Sequence, residues 1–195
     1  MKFAIVVYQN LTLLDLVGFT DAVQRLKSMN ILPDLELAYC AFSQPVSDNF
    51  GFPIRIDHIA PDLASFDLIF IPGGIGSRIL LSDIDFISWL QTASSIPIKA
   101  AVCTGSLIMG AAGFLEGKKA TTHFDEYEHL HQYTSQVVPA DLVEDQGLIT
   151  AGAVASSILL GLHICKLYAS EADALLIAKR MGIPDLYKNA NVQIY

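Results

Sequence analysis

Three groups in this 195-residue sequence could do chemistry together. The first is Cys103, at the end of the apolar run IKAAVC (98–103) and directly before Thr104-Gly105-Ser106. A strand that turns at once into a helix displays its junction residue on a strained elbow, and small neighbours are needed because strand and helix come very close. Ala101 and Gly105 meet that need. A helix N-terminus stabilises a thiolate, the reactive form of cysteine, so the pattern predicts a nucleophile of lowered pKa. The second group is the loop Pro72-Gly73-Gly74-Ile75-Gly76, which follows the run LIFIP (68–72). Glycines let backbone N–H groups approach a ligand and form an anion-binding concavity. The N–H groups of Gly74, Ile75 and Thr104 are the expected oxyanion donors. The loop lacks the Gly-Lys-Ser/Thr ending of a phosphate loop. The third group is Asp15, set among Leu13, Leu14, Leu16 and Val17. It either caps the first helix or faces Cys103. In the second case burial and a nearby thiolate raise its pKa and let it act as an acid near neutral pH.

Other candidates are weaker. Cys40 and Cys165 fall mid-strand and mid-helix and read as inert core thiols. His123 follows a strand end and can reach the same rim as an auxiliary group, whereas His58, His129, His131 and His163 read as surface or helix-face residues. Phe19, Ile75 and Ile79 are apolar candidates for a substrate wall. No spacing of metal type is present, so no metal is expected.

The elements that must position these groups are short continuous apolar runs, as expected of strands buried on both faces. Four are clear: 3–8, 35–42, 68–72 and 98–103. Helical patterns lie between them at 14–29 and 83–94. Alternation of this kind predicts βαβ units and a parallel sheet. Residues 52–58 read as an edge strand or hairpin arm, and 137–152 as a strand, a Gln-Gly turn and another strand. A last helix is expected from near Val154 to Met181, ended by Gly182 and Pro184. With no repeat or long linker, residues 1–195 read as one domain.

The bulk properties fit a covered sheet. Hydrophobic residues make up 52% and charged residues 16%, with a net charge of −8. No Lys/Arg cluster offers a phosphate footprint, so neither nucleic acid nor a membrane surface is an expected partner. Three cysteines without C-x-x-C spacing argue against a disulfide scaffold and for a reducing cytoplasm. The apolar stretch 148–169 splits at Gly152 into a strand and a helix and contains His163 and Lys166, so a membrane span is not expected there.

The markers FAIVVYQNLTLLDLVG, DLIFIPGG and AVCTGSLIMGAAGFLEGKKATTH together resemble the ThiJ/PfpI superfamily, over nearly the whole chain. The resemblance implies a flavodoxin-like three-layer α/β/α sandwich, related to class I glutamine amidotransferase domains, with a mainly parallel sheet and a nucleophile elbow. Leu14-Asp15-Leu16-Val17-Gly18 and Cys103-Thr104-Gly105-Ser106 are similar to the isocyanide hydratase branch. That branch implies a small-molecule substrate, Cys103 and Asp15 as catalytic pair, no cofactor and a homodimer. Leu159 and Ala155 depart from it, standing where Asp and Thr are usual. Two alternatives within the superfamily keep Cys103 but give it a different role. One is a glyoxalase or stress hydrolase with His123 as partner, and the other is a cysteine redox sensor without turnover.

Overall fold

The computed structural model describes residues 1–195. Its frame is an eight-stranded sheet built from β1 (Lys2–Val6), β2 (Glu36–Ala41), β3 (His58–Ile59), β4 (Leu68–Ile71), β5 (Ile98–Val102), β8 (Leu142–Asp145), β9 (Leu148–Ala151) and β10 (Val192–Ile194). A separate pair, β6 (Lys119–Ala120) and β7 (Gln136–Val137), lies outside it. The strand order is β10-β8-β9-β5-β4-β1-β2-β3. All neighbours are parallel except β8 and β9, which form a hairpin. The hairpin turns at Gln146-Gly147, both at positive φ, as a tight two-residue connection requires. The central apolar runs are buried strands. β4 has no exposed residue, and β1 and β5 are buried from their second residue onward. This is the flavodoxin-like α/β sandwich.

The helices are α1 (Leu13–Ser28), α2 (Ser77–Leu80), α3 (Ile84–Gln91), α4 (Gly105–Ala111), α5 (Tyr127–Leu130), α6 (Ser156–Tyr168), α7 (Glu171–Arg180) and α8 (Leu186–Asn189). α3 starts where Asp83 accepts the Phe86 N–H. It ends earlier than its pattern suggests, passing into a 3-10 turn at Thr92–Ser95. The expected single helix to Met181 is in fact two. Ala169 leaves helical geometry, and the Ser170 hydroxyl accepts the Asp173 N–H and caps α7. Gly182 at positive φ then ends α7, as expected. Within 52–58 only His58 joins the sheet, as the start of the edge strand β3, while Pro53 makes an isolated bridge to Ser47.

His163 is not a surface residue. It is 1% exposed on α6, hydrogen-bonded to Glu144 of β8 (2.7 Å) and to Tyr187 of α8 (2.9 Å). Burial pushes the imidazole pKa down, and the Glu144 carboxylate opposes that. Phe19 is also core, stacked on Phe70 with ring centroids 3.8 Å apart. No helix is long and apolar enough to cross a membrane.

α1 carries Asp15, and its placement depends on close packing against α6. A Cβ at Gly161 would lie 2.8 Å from the Phe19 carbonyl oxygen and 2.8 Å from the Ala22 Cβ. Only hydrogen fits there without moving backbone. Gly161→Leu should therefore lower stability by about 3 kcal/mol through overpacking, read as a reduced urea midpoint with unchanged slope.

Candidate active site

Cys103 occupies the turn between β5 and α4 with φ of 54°, a conformation that L residues rarely adopt. Such a backbone costs of order 1–3 kcal/mol and persists only where its surroundings over-determine it. Here they do. The Cys103 N–H points at two carbonyls, Ala151 (3.0 Å) and Gly152 (2.9 Å), and the Thr122 hydroxyl donates to the Cys103 carbonyl at 2.8 Å. Gly105 packs so tightly behind the turn that a Cβ would sit 2.3 Å from the Ile71 carbonyl oxygen. The strand-to-helix elbow read from Ala101 and Gly105 is thus present.

Asp15 lies in the first turn of α1 and has no exposed surface. It does not cap the helix: Thr12 is the N-cap residue, without a side-chain cap bond. Instead the Gly73 N–H donates to Asp15 Oδ2 at 2.8 Å, while Oδ1 has no hydrogen-bond partner. A Cβ at Gly73 would fall 2.7 Å from Asp15 Oδ2 and 2.8 Å from Cys103 Cβ. The carboxyl and the thiol-bearing side chain therefore flank one point, and a glycine is required between them.

The electrostatics differ from the sequence expectation. Burial, and next the charge of Asp15, push the Cys103 thiol up to about 12, against the pull of the Thr104 backbone N–H and hydroxyl. The lowered thiol pKa expected from a helix N-terminus is absent, because α4 is only seven residues long and Cys103 is 6% exposed. Desolvation outweighs a terminal dipole. Burial likewise pushes the Asp15 carboxyl up to about 7, with the Gly73 hydrogen bond pulling down. Near neutral pH the proton therefore resides on sulfur, and Asp15 is poised between acid and base.

The expected oxyanion donors divide. The Gly74 N–H donates to the Thr104 hydroxyl oxygen at 3.0 Å and is not free. The N–H groups of Ile75 and Thr104 have no backbone acceptor, and both residues line the cleft above Cys103. That cleft has a volume of about 280 Å³. His123 stands on its wall, its Nδ1 accepting the Asp125 N–H at 3.3 Å and its ring against Phe124. Ile79 lies outside the cleft, in a neighbouring cavity of about 120 Å³.

Sequence reasoning missed Thr12, Arg78 and Glu126 on this wall. Buried Glu126 accepts from Arg78 at 2.5 Å and pairs with His129 at 2.6 Å, so both its oxygens are engaged. Nothing in the segment Phe124-Asp125-Glu126-Tyr127 distinguishes it from a solvated acidic turn, because its partner Arg78 is remote in sequence.

The raised Asp15 pKa makes folding pH-dependent. Between the ordinary 3.8 and about 7 the folded chain holds a proton that the unfolded chain releases. Stability therefore falls as pH rises through that window, by up to roughly 4 kcal/mol above it. Asp15→Asn removes this loss. Thermal melts should show the variant gaining on wild type between pH 4 and pH 8, with the largest difference at the alkaline end.

A profile of the DJ-1/PfpI family matches residues 1–167. Isonitrile hydratase from Pseudomonas putida is 32% identical over 123 residues, 63% of this chain and 54% of that protein, so the match spans about half the relative's length. The crystal structure of a ThiJ/PfpI family protein from Pseudomonas syringae is similar at a TM-score of 0.83 and 26% identity, covering 93% of this chain and 74% of that one. Drosophila melanogaster DJ-1beta shares the fold at a TM-score of 0.79 and 19% identity, over 93% of this chain and 97% of that one. With its elbow cysteine and its profile match over residues 1–167, the chain belongs to the DJ-1/PfpI family.

Proposed function

We propose that this protein hydrates isocyanides, R–N≡C, to N-substituted formamides, with Cys103 as nucleophile and Asp15 as general acid and base. The observation that carries the reading is the convergence of Cys103 and the half-satisfied Asp15 carboxyl on Gly73, beneath a cleft. The similarity to isonitrile hydratase over 123 residues supports the choice of substrate.

The proton count sets the order of steps. Above about pH 7 the Asp15–Cys103 pair holds one proton, on sulfur. As sulfur attacks the terminal isocyanide carbon, its proton passes to Asp15. Asp15 then delivers that proton to the same carbon, giving the thioimidate R–N=CH–S–Cys103. Asp15, again a carboxylate, takes a proton from water as the water oxygen adds to that carbon, and passes it to nitrogen. The adduct R–NH–CH(OH)–S–Cys103 loses its hydroxyl proton as the C–S bond breaks. R–NH–CHO leaves, and the proton returns to Cys103. The N–H groups of Ile75 and Thr104, neither of which has a backbone acceptor, are the donors available to negative charge developing over the cleft.

The lining favours a small substrate with a hydrogen-bonding tail. Thr12, Arg78, Thr104, His123 and Glu126 face the cleft, and Ile75 and Val154 are its larger apolar walls. A redox-sensor reading requires a resting thiolate, and the burial that holds Cys103 protonated weighs against it.

The test is formamide release from para-nitrophenyl isocyanide. Wild type should turn over, Cys103→Ala should fall to background, and Asp15→Asn should lose roughly a thousandfold. kcat/KM should rise as pH increases through about 7, as Asp15 becomes able to accept the thiol proton. An isocyanide with an amide tail should show a higher kcat/KM than cyclohexyl isocyanide. No turnover of any isocyanide while Cys103 still alkylates would move the stress-hydrolase reading ahead.

A further inference from the structure

Tyr8 is a buried polar side chain beside this chemistry that the hydration steps do not use. It stands two residues beyond β1, with 5% of its surface exposed. Its hydroxyl donates to the Pro72 carbonyl oxygen at 2.8 Å, and that oxygen accepts no other hydrogen bond within the chain. The nitrogen end of the same peptide unit is the Gly73 N–H, which donates to Asp15 Oδ2 at 2.8 Å. Tyr8 and Asp15 therefore hold opposite ends of one planar, resonance-linked amide. A carbonyl that accepts a hydrogen bond draws charge from its nitrogen and makes the N–H a stronger donor, and in a buried site this polarisation is not screened by water.

We infer that Tyr8 is a positioning residue that acts through the Pro72–Gly73 peptide to strengthen the Gly73 hydrogen bond to the Asp15 carboxylate, and so lowers the pH at which Asp15 releases its proton. The phenol itself remains a donor across the working range, because burial and the nearby Asp15 and Cys103 push its pKa well above the ordinary value. The surroundings leave few competitors. Cys103 faces Asp15 across Gly73, and Glu126 acts on Cys103 from the cleft wall. On α6, which packs against α1, Ser157 donates to the Leu14 carbonyl, and His163 is turned to Glu144 and Tyr187. The inference rests on Asp15 as the proton carrier of the proposed reaction, but not on the identity of the substrate.

Tyr8→Phe deletes the hydroxyl and keeps the ring. The readouts are the Asp15 carboxyl titration by carbon NMR, the Gly73 amide proton shift, and the pH profile of Cys103 alkylation by iodoacetamide. In Tyr8→Phe the Asp15 midpoint should rise by a few tenths of a pH unit. The inflection of the alkylation profile should follow it, and the Gly73 amide proton should move upfield. Tyr168→Phe, which removes a phenol bonded to the remote Asp67 carbonyl, should change none of these. Replacing tyrosine by 3-fluorotyrosine leaves the side chain nearly isosteric and makes the hydroxyl a stronger donor, so the midpoint should move down; this arm stands even if Tyr8→Phe does not fold. An unmoved Asp15 midpoint in folded Tyr8→Phe, or in the fluorotyrosine protein, overturns the inference. A shifted midpoint in a protein that turns over no isocyanide would uphold the relay and remove the hydratase reading. Turnover with an unmoved midpoint would do the reverse.

Discussion

A carboxyl group with no exposed surface and a single backbone donor is the constraint on which the rest of this molecule depends. Asp15 is sealed by α1, by the Gly73 loop and by the elbow of Cys103. Removing its water costs more than one N–H can return, and the difference appears as a pKa near neutrality. The fold tolerates this because the cost is local and the core is large, a contiguous cluster of 51 buried residues. The same feature that weakens folding at alkaline pH makes a carboxyl able to hold or release a proton where most carboxyls are fixed as anions.

The thiol follows the same logic with a different outcome. A cysteine at a strand-to-helix elbow invites the expectation of a thiolate held by a helix terminus. Here the helix is short, the sulfur is buried and the nearest ionisable neighbour is an acid. In the proposed reaction the reactive state is reached by moving a proton between two buried groups, not by ionising sulfur at rest. The strained backbone at Cys103 keeps its side chain across Gly73 from Asp15, pinned by Ala151 and Gly152 on one side and by Thr122 on the other.

Much of the frame was legible in the chain. The runs at 3–8, 35–42, 68–72 and 98–103 became β1, β2, β4 and β5, because strands covered on both faces must be continuously apolar. Gln146-Gly147 announced its hairpin through its glycine, and the structure bears this out with both positions at positive φ. The stretch after Gly152 was harder. Its apolar pattern runs past Ala169, and only the hydroxyl of Ser170 caps a second helix there. His163 was misread because one polar residue on an apolar helix gives no sign of its partners, Glu144 and Tyr187, which other elements bring to it.

The sequence by itself determined the local chemistry of the site: a cysteine between small residues at a strand end, a glycine loop at the neighbouring strand end, and an acid in the first turn of an apolar helix. Each is a short-range pattern, fixed by what a turn or a helix start can accommodate. Tertiary structure alone decided which of these groups touch and in what charge state. It engaged the Gly74 N–H with Thr104, aimed the Gly73 N–H at Asp15, placed Tyr8 on the far side of the same peptide and joined Arg78 to Glu126 across 48 positions. Hydrogen bonds and desolvation act over a few ångströms of space, and a linear spacing does not encode which distant residues will share those ångströms.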